Sequence, residues 1–517
     1  MATNVSQQGR NVGRTRVTTG KQILDIITSG MYSNSLMVIR EYVQNAADAL
    51  DEAVQAGLIT PQEGRIDVRF AGSDRSISIC DNGVGVPSDR VAAVLCGVGI
   101  SRKTPGGSRG FRGIGRLGGI GYSDKVVFET RSSRAEPVSV VTWDAERLRA
   151  ECRSNETLVD AGHVIGTVVS VARRPARLDE EEHFFRVTMQ AVHRFHRDDL
   201  MNVNAVREYL GRVAPVPFRH DDFPPAQMIE HHLASIDGYK TYILSVDGQP
   251  VYRPHTQEFS VSGQSFDRIG SIELIDVRGH EGQSIGRGWY ARLNYIASIP
   301  PRVGMRGIRV RQGNIEVGDE YFLADFFAER RFATWHIGEI HLNYSLKINA
   351  RRDGFEQSPD FEAFIEQAGL LGRHLSYLCR AASKARSRRL GATQMLVRAE
   401  SIVHGAFFLT EEHLHSALAG AEAMLSEVEH SLHGTEDFGG IQERIAQDRE
   451  AIGRLRKTTP LLHTILDGRS LRHMGHKELI TSIAQGVLEQ HSKHRSPESL
   501  IRAVLHPYIK SSHLGTK

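Results

Sequence analysis

The sequence predicts an α+β protein with an α/β sandwich first, a second α/β domain next, and a mostly helical C-terminal region last. Alternating apolar and polar residues predict strands between residues 65 and 172 and again between residues 239 and 318. From residue 371 proline is scarce and apolar residues recur at helical spacing, which predicts helices. A chain of 517 residues is too long for one core. We expect domains at residues 1–199, 200–375 and 376–517.

Composition and charge are those of an ordinary globular protein. The chain is 40% hydrophobic and 24% charged, with a formal net charge of +3, which by itself indicates neither nucleic acid nor a membrane. Its four cysteines form no C-x-x-C pair, which argues against a disulfide framework and a zinc module. The first twenty residues have no apolar core, and no apolar run reaches about 18 residues. We therefore expect a cytoplasmic protein without a signal peptide or a membrane span.

A polar stripe crosses the helix predicted for residues 40–50, REYVQNAADAL. Glu41, Asn45 and Asp48 follow at i, i+4 and i+7, which a helix of about 3.6 residues per turn places on one face. Apolar neighbours point mostly elsewhere, so the stripe is not simply the solvated side of an amphipathic helix. A carboxylate, an amide and a second carboxylate aligned in this way can hold a water and a hydrated divalent cation.

A hairpin is predicted directly after this helix. RIDVRF and SISIC alternate in polarity on either side of a turn at residues 72–74, so Asp81 stands where the second strand ends. Gly83 and Gly85 follow, and they let the backbone turn sharply and allow a flat ligand to approach closely.

A glycine-rich stretch, SRGFRGIGRLGGIGYSDKVVFET, follows from residue 108. So many glycines before a predicted helix and strand suit backbone amides that wrap phosphate oxygens at a helix N-terminus. Farther on we predict strands at AECR (150–153) and GTVVSVAR (166–173), and an amphipathic helix over about residues 176–200 that closes the first domain.

Three motifs in this order resemble the nucleotide-binding boxes of the GHKL superfamily, which includes gyrase-type topoisomerases, heat-shock-protein-90 chaperones, histidine kinases and MutL. The motifs are E-x-x-x-N-x-x-D-A, D-x-G-x-G, and G-x-x-G-x-G followed by a late strand with Gly166-Thr167. Only about forty residues precede Glu41, which disfavours a histidine kinase with an upstream phosphoacceptor hairpin. The resemblance covers residues 20–175 and extends more loosely to about residue 375. It implies a Bergerat-type ATP-binding sandwich followed by a middle, transducer-like domain.

The resemblance also implies a role for each motif residue, with ATP and Mg²⁺ as the bound species. Glu41 would be the general base, Asn45 a magnesium ligand, and Asp48 would hold a magnesium-bound water or a lid residue. Asp81 would accept from the adenine amine. The loop GVGISRKTPGGSR, residues 97–109, resembles the lids of chaperones and MutL, which close over bound ATP. Further nucleotide contacts would come from the turn after Asp81, this lid, the glycine-rich stretch and the late strand, at Gly83, Gly85, Lys103, Gly110, Phe111, Gly113, Ile114, Gly115 and Thr167.

The second domain contains a candidate residue for the γ-phosphate. INARRDG, residues 348–354, loosely resembles the turn that carries the catalytic arginine of the heat-shock-protein-90 middle domain. That likeness makes Arg352 the first candidate and Arg351 the second. Lys347 competes with them, because MutL and gyrase place a lysine on their second domain for the same task.

The C-terminal region leaves several functions open. Basic residues outnumber acidic ones from residue 371, and the run SKARSRRL could touch nucleic acid. We expect the helices to pair two chains into a homodimer. The overall prediction is an ATP-hydrolysing molecular clamp that resembles a divergent bacterial heat-shock-protein-90 chaperone. A DNA-associated clamp of MutL or microrchidia type and a nucleotide sensor of a defence complex remain alternatives, and no client is identified.

Overall fold

The computed structural model describes residues 20–21, 24, 34–98, 115–154, 160–194, 197–349, 352–406, 411–432 and 439–457. These residues form two compact units that divide between Ala382 and Ser383. In chain order, the elements up to residue 192 are α1 Met37–Gln55, β1 Arg65–Ala71, β2 Ser76–Asp81, α2 Val91–Leu95, β3 Ser123–Arg131, β4 Val138–Asp144, α3 Ala145–Arg153, α4 Ala161–Val168, β5 Val169–Arg174 and β6 Phe184–Val192.

The remaining elements of the first unit begin at residue 203. They are α5 Val203–Val213, α6 Ala226–Leu233, β7 Ile243–Val246, β8 Gln249–Pro250, β9 Glu258–Ser262, β10 Ser265–Arg268, β11 Ser271–Arg278, β12 Ser284–Arg292, β13 Gly307–Gln312, β14 Ile315–Val317 and β15 Ile337–Leu342. Three helices follow: α7 Pro359–Gly405, α8 Glu411–Leu432 and α9 Gly439–Leu455.

Eight strands form the first sheet, in the order β5-β4-β3-β6-β2-β1-β7-β8. All neighbours are antiparallel except β1 and β7, which run parallel. Helix α1 packs on this sheet through apolar side chains that are almost fully buried, among them Val38, Ile39, Val43, Ala47 and Leu50. The predicted fold class is confirmed, because a largely antiparallel sheet with a packed helix is the sandwich that the sequence indicates.

A glycine in the left-handed conformation follows the C-terminal end of helix α1. Gly57 has a φ of 71°, and the amide of Leu58 donates to the carbonyl of Ala53 at 2.9 Å. This bond satisfies one of the last carbonyls of the helix, as in a Schellman motif. The C-terminal end of the helix is therefore determined locally, whereas burial holds its middle.

A second sheet of five strands, in the order β11-β12-β15-β13-β14, follows in the chain. Only β13 and β15 are parallel. Asp247 and Gly248 form the hairpin turn between β7 and β8, and both residues have positive φ, as a tight two-residue turn requires. Since β7 and β8 complete the first sheet, residues beyond 199 contribute to it, and the three domain boundaries stay a proposal.

Three secondary-structure predictions are wrong. AECR lies in helix α3, and Gly166-Thr167 lies in helix α4, whose first turn is capped by the Asp160 carboxylate at the amide of Gly162. The helix predicted over residues 176–200 contains strand β6 instead. The sequence of β6, FFRVTMQAV, is rich in aromatic and β-branched residues, which favour strands. It forms a strand because it pairs with β2 on one side and β3 on the other.

Helices α8 and α9 confirm the helical prediction for the C-terminal region. In the described part of the second unit, a leucine- and alanine-rich core includes Leu396, Leu418, Leu425 and Ile445. None of the helices in the described ranges is long and apolar enough to cross a membrane.

Candidate functional site

A cavity of about 510 Å³ opens beside helix α1 and the end of strand β2; we call it the α1 cavity. Three residues predicted from the motifs line it together: Glu41 and Asn45 on the helix, and Asp81 at the end of the strand. The other side chains that line the cavity are mostly apolar, among them Ala46, Ile79, Val84, Val86, Leu95, Phe185 and Val187. A concave apolar site with a few convergent polar groups is typical of a small-molecule pocket.

Helical geometry brings two of the three stripe residues to the cavity. Glu41 is buried and Asn45 is half-buried, one turn apart on the same face. Asp48 is buried on the same helix but does not line the cavity. That Asp48 holds a magnesium-bound water or a lid residue stays a prediction.

The Glu41 carboxylate lies in a tight and charged environment. Its Oε2 is 3.2 Å from Nη2 of Arg352, and its Oε1 is 3.5 Å from Nη2 of Arg40. Oε1 is buried and accepts no hydrogen bond within the described part of the chain. A buried acceptor without a donor is costly, so this atom is suited to receive a hydrogen bond from a bound group.

Two glycines give the ligand space and shape the walls of the cavity. A Cβ atom on Gly115 would lie 2.6 Å from Oε2 of Glu41, and one on Gly83 would lie 2.7 Å from Oδ1 of Asp81. Neither position tolerates a side chain without displacing a proposed functional carboxylate. The structure thus gives a steric reason for both glycines, in addition to the close ligand approach that the sequence predicts.

Asp81 is oriented by the chain that follows it. Its Oδ1 accepts a hydrogen bond from the amide of Gly83 at 2.9 Å, and the carbonyl of Gly83 lies 2.8 Å from Nδ1 of His183. Gly85 has a φ of 63°, and a Cβ there would collide with the carbonyl of Arg131. The turn after β2 is therefore held from both sides, which places the carboxylate at the cavity wall.

Tyr42 connects helix α1 to the described end of the glycine-rich stretch, a 3₁₀ helix over Gly115–Gly121. Its hydroxyl donates to the carbonyl of Arg116 and accepts from the amide of Gly119, both at 3.0 Å. Full burial raises the pKa of Tyr42 far above its ordinary value, so the phenol stays protonated and can donate. Sequence reasoning missed this residue, although an aromatic side chain with a polar end beside Glu41 is a usable signal.

Arg352 reaches the α1 cavity from a turn after strand β15. Bonds between Asn349 and Gly354 close that turn, and Arg352 has a φ of 59°, which is uncommon for a residue other than glycine. Its Nη1 donates to Oε1 of Gln44, and its Nη2 faces Glu41. Lys347 is exposed and does not line the cavity. Gln44 carries no motif signal in the sequence.

Thr167 does not take the position predicted for it. It is exposed in helix α4, and its hydroxyl donates to the carbonyl of Val164 at 2.8 Å. The strand beside β2 is β6, from which Phe185 and Val187 line the cavity. The predicted placement of Thr167 on a strand is therefore wrong. Several other predicted residues lie outside the described ranges: Lys103, Gly110, Phe111, Gly113, Ile114 and Arg351.

The lining fits a magnesium-bound nucleotide better than a metal held by protein alone. No group of three or more His, Cys, Asp or Glu side chains in the described ranges is arranged to hold a metal ion. Mg²⁺ needs only one or two protein ligands when phosphates and waters supply the others. The amide oxygen of Asn45 could be such a ligand, and Asp81 among apolar neighbours suits the polar edge of a base.

Comparison with known proteins matches the part of the chain that forms this cavity. Residues 32–162 match the family model described as Histidine kinase-, DNA gyrase B-, and HSP90-like ATPase. The Chaperone protein HtpG of Cronobacter sakazakii is 29% identical over 144 residues, which cover 24% of this chain and 23% of that protein. HtpG of Escherichia coli strain K12 is 29% identical over 143 residues with the same shares. The match thus spans less than a quarter of the length of these relatives.

The segment with helix α1, the β1–β2 hairpin and the glycine-rich stretch matches a GHKL-type ATPase domain and resembles the one in HSP90. The resemblance predicted from the three motifs is confirmed at this level. The matched residues end before strand β6, the second sheet and the turn that carries Arg352.

Proposed function

We propose that this chain binds ATP with Mg²⁺ in the α1 cavity and hydrolyses it, as a chaperone-like molecular clamp. The observation that carries the proposal is that Glu41, Asn45, Asp81 and Arg352, which come from three distant segments, line one cavity. The similarity to HtpG supports a chaperone-like cycle. The proposal includes that the chain works as a cytoplasmic homodimer.

Adenine recognition is assigned to Asp81. Its buried carboxylate is held by the amide of Gly83, and it accepts a hydrogen bond from the exocyclic amine of the base. Guanine offers an acceptor at that position, so the carboxylate discriminates between the two bases. Ile79 and Val187 supply apolar contacts for the faces of the ring.

Glu41 is the proposed general base. A carboxylate within one hydrogen bond of the attacking water can take its proton as the bond to phosphorus forms. Oε1 is the available atom, because Oε2 faces Arg352. The amide oxygen of Asn45, one turn along the helix, is the proposed protein ligand of Mg²⁺. When bound, the ion would supply positive charge to the phosphate oxygens.

Arg352 completes the site from a later part of the chain. Negative charge shifts among the phosphate oxygens as the γ-phosphoryl group departs, and a guanidinium placed there stabilises the transition state. In the structure this guanidinium contacts Glu41 and Gln44. Nucleotide binding would therefore exchange a carboxylate partner for a phosphate partner, which couples the second sheet to the chemistry.

Two variants test the proposal on the full chain. Glu41→Ala should retain ATP affinity while the rate of phosphate release falls by about 10² to 10⁴, as expected for the loss of a general base. Asp81→Asn should abolish adenine nucleotide binding. Thr167→Ala is the matched control, since its side chain lies outside the cavity, and it should behave as wild type. Hydrolysis at the wild-type rate by Glu41→Ala would show that the role assignment is wrong.

A second candidate, a DNA-associated clamp, is supported by the basic run on helix α7. Lys384 and Arg388 are exposed there. Duplex binding that weakens steeply with salt would support this candidate, because phosphate neutralisation releases counterions. Very slow turnover together with nucleotide-dependent binding of a partner would instead support the third candidate, a nucleotide sensor. An ATPase assay with and without DNA separates these functions.

A further inference from the structure

A second cavity, of about 360 Å³, lies in the first unit between helix α5, the chain after strand β8 and a turn at residues 301–304. We call it the arginine cavity. None of the residues that line the α1 cavity also lines this one. The arginine cavity is therefore a separate site, and no motif described above explains it.

Arginines dominate the lining of this cavity. Arg207 and Arg212 reach it from helix α5 and Arg302 from the opposite turn, whereas Glu208 and Asp222 are the acidic groups in the wall. Asp222 is paired with Arg219, 3.1 Å away. After that pairing, three guanidinium groups face the single carboxylate of Glu208, so the cavity has excess positive charge.

A further arginine in the wall is already paired within the protein. Arg253 is fully buried; it donates to Glu339 and Asn314, and its Nε donates to the carbonyl of Val216 at 3.0 Å. These contacts fix the position of Arg253 in the wall but do not supply a counter-charge for the other arginines. A ligand that entered the cavity would therefore find Arg253 already held in place.

Arg212 is the group with the least satisfied hydrogen bonding. Its Nε is buried and has no hydrogen-bond acceptor in the described ranges. His255, which is 4% exposed, forms part of the same wall, and its Nδ1 also has no partner among the described residues. Both atoms are free to hydrogen-bond a group that enters the cavity, and a bound ion is one explanation for buried polar atoms of this kind.

The backbone leaves little freedom for the walls to collapse onto each other. A Cβ on Gly211 would lie 2.7 Å from the carbonyl of Tyr252, so helix α5 packs directly on the chain after β8. Gly304 has a φ of 79°, which turns the opposite wall toward Pro254. The cavity is held open by close packing around it rather than by loose side chains.

We propose that the arginine cavity binds a small phosphorylated anion, such as a diphosphate or a phosphomonoester. Guanidinium groups are planar, permanently charged and matched to phosphate oxygens in paired hydrogen bonds. The volume lies at the small end of the range for ligand pockets, about 300 to 1,000 Å³. A concave cavity of this size favours a compact ligand over nucleic acid, which would require an extended basic surface. The site is independent of the proposed ATPase function.

Inorganic pyrophosphate, titrated into the full chain by calorimetry at constant ionic strength, tests this site. Arg212→Ala should weaken binding by about tenfold or more, as expected for a lost charge-assisted hydrogen bond. Arg302→Glu should weaken pyrophosphate binding as well. Because Arg302 is exposed, this variant should fold normally, so its loss of binding cannot be attributed to a folding defect. Arg134→Ala is the control, because Arg134 is exposed and paired with Glu182.

Glu208→Gln gives a prediction of opposite sign. Removal of the carboxylate that opposes the anion should tighten pyrophosphate binding several-fold, whereas a merely structural role of helix α5 predicts weakening or no change.

Equal affinity in wild type and Arg212→Ala would overturn the proposal. So would a loss of binding confined to Arg352→Ala, which would locate pyrophosphate in the α1 cavity. If Arg212→Ala and Arg302→Glu weaken duplex DNA binding but not pyrophosphate binding, the ligand is nucleic acid and the proposal is wrong.

Discussion

Nη2 of Arg352 lies 3.2 Å from Oε2 of Glu41, so an arginine from the turn after strand β15 is paired with the carboxylate proposed as general base. Both side chains are largely shielded from solvent, at 21% and 4% exposure. A phosphate group bound in the α1 cavity would compete with Glu41 for this guanidinium.

Arg352→Ala should lower kcat by about 10²-fold or more, because it removes a cation that stabilises charge in the transition state. Glu41→Gln should also lower kcat, and the double variant should be much less impaired than the product of the two effects, since the residues act together. Steady-state phosphate release measures all three proteins. Lys347→Ala is the control, and a larger loss there than in Arg352→Ala would assign the role to the lysine.

Gln44 is expected to position Arg352. It is buried on helix α1 and accepts from Nη1 of the arginine, but it does not line the α1 cavity. Gln44→Ala should therefore lower kcat with little change in KM, and Gln44→Glu should retain most of the activity because it keeps an acceptor. Gln44→Ala combined with Arg352→Ala should be no slower than Arg352→Ala alone. Additive losses in that double variant would contradict the positioning role.

Gly85→Ala should abolish nucleotide binding through the backbone. The φ of 63° is unfavourable for alanine, and its Cβ would collide with the carbonyl of Arg131, so the turn that orients Asp81 has to move. Equilibrium binding of a fluorescent ATP analogue reports the change. Gly57→Ala is the comparison, because Gly57 has a similar φ but open space around its Cβ position, and it should lose some stability while binding stays normal.

Glu180→Gln should reduce stability in a pH-dependent manner. Hydrogen bonds from Arg174 outweigh burial and lower the pKa of Glu180 from 4.5 to about 2. A carboxyl with a lowered folded-state pKa stabilises the fold above its unfolded pKa, so its contribution is complete above about pH 5 and disappears as the pH falls through about 2. We expect a loss on the order of 2 kcal/mol at pH 7.

Urea unfolding at pH 7 and at pH 3.5 measures this effect, and the difference between Glu180→Gln and wild type should shrink by about 40% at the lower pH. Glu182→Gln is the matched control, since Glu182 forms an exposed pair with Arg134 that contributes less than about 1 kcal/mol. A difference that is the same at both pH values would mean that the Glu180 charge does not carry the stabilisation.

Local patterns were enough to predict the elements that build the α1 cavity. The spacing of Glu41 and Asn45 depends only on the helical period, and the position of Asp81 depends only on the alternation of two strands and the turn between them. Motif order then identified the ATPase class, which the comparison confirms. These signals lie within a few residues of one another, so no knowledge of the fold is needed to interpret them.

The sequence by itself therefore determined the fold class, the helix and the hairpin, because short-range periodicity and turn chemistry encode them. Tertiary structure alone decided that β6 pairs beside β2, that Thr167 lies away from the cavity, and that Arg352 rather than Lys347 reaches Glu41. The arginine cavity likewise joins segments around residues 207, 253 and 302. Such contacts depend on strand pairing and packing between distant residues, which no local pattern contains.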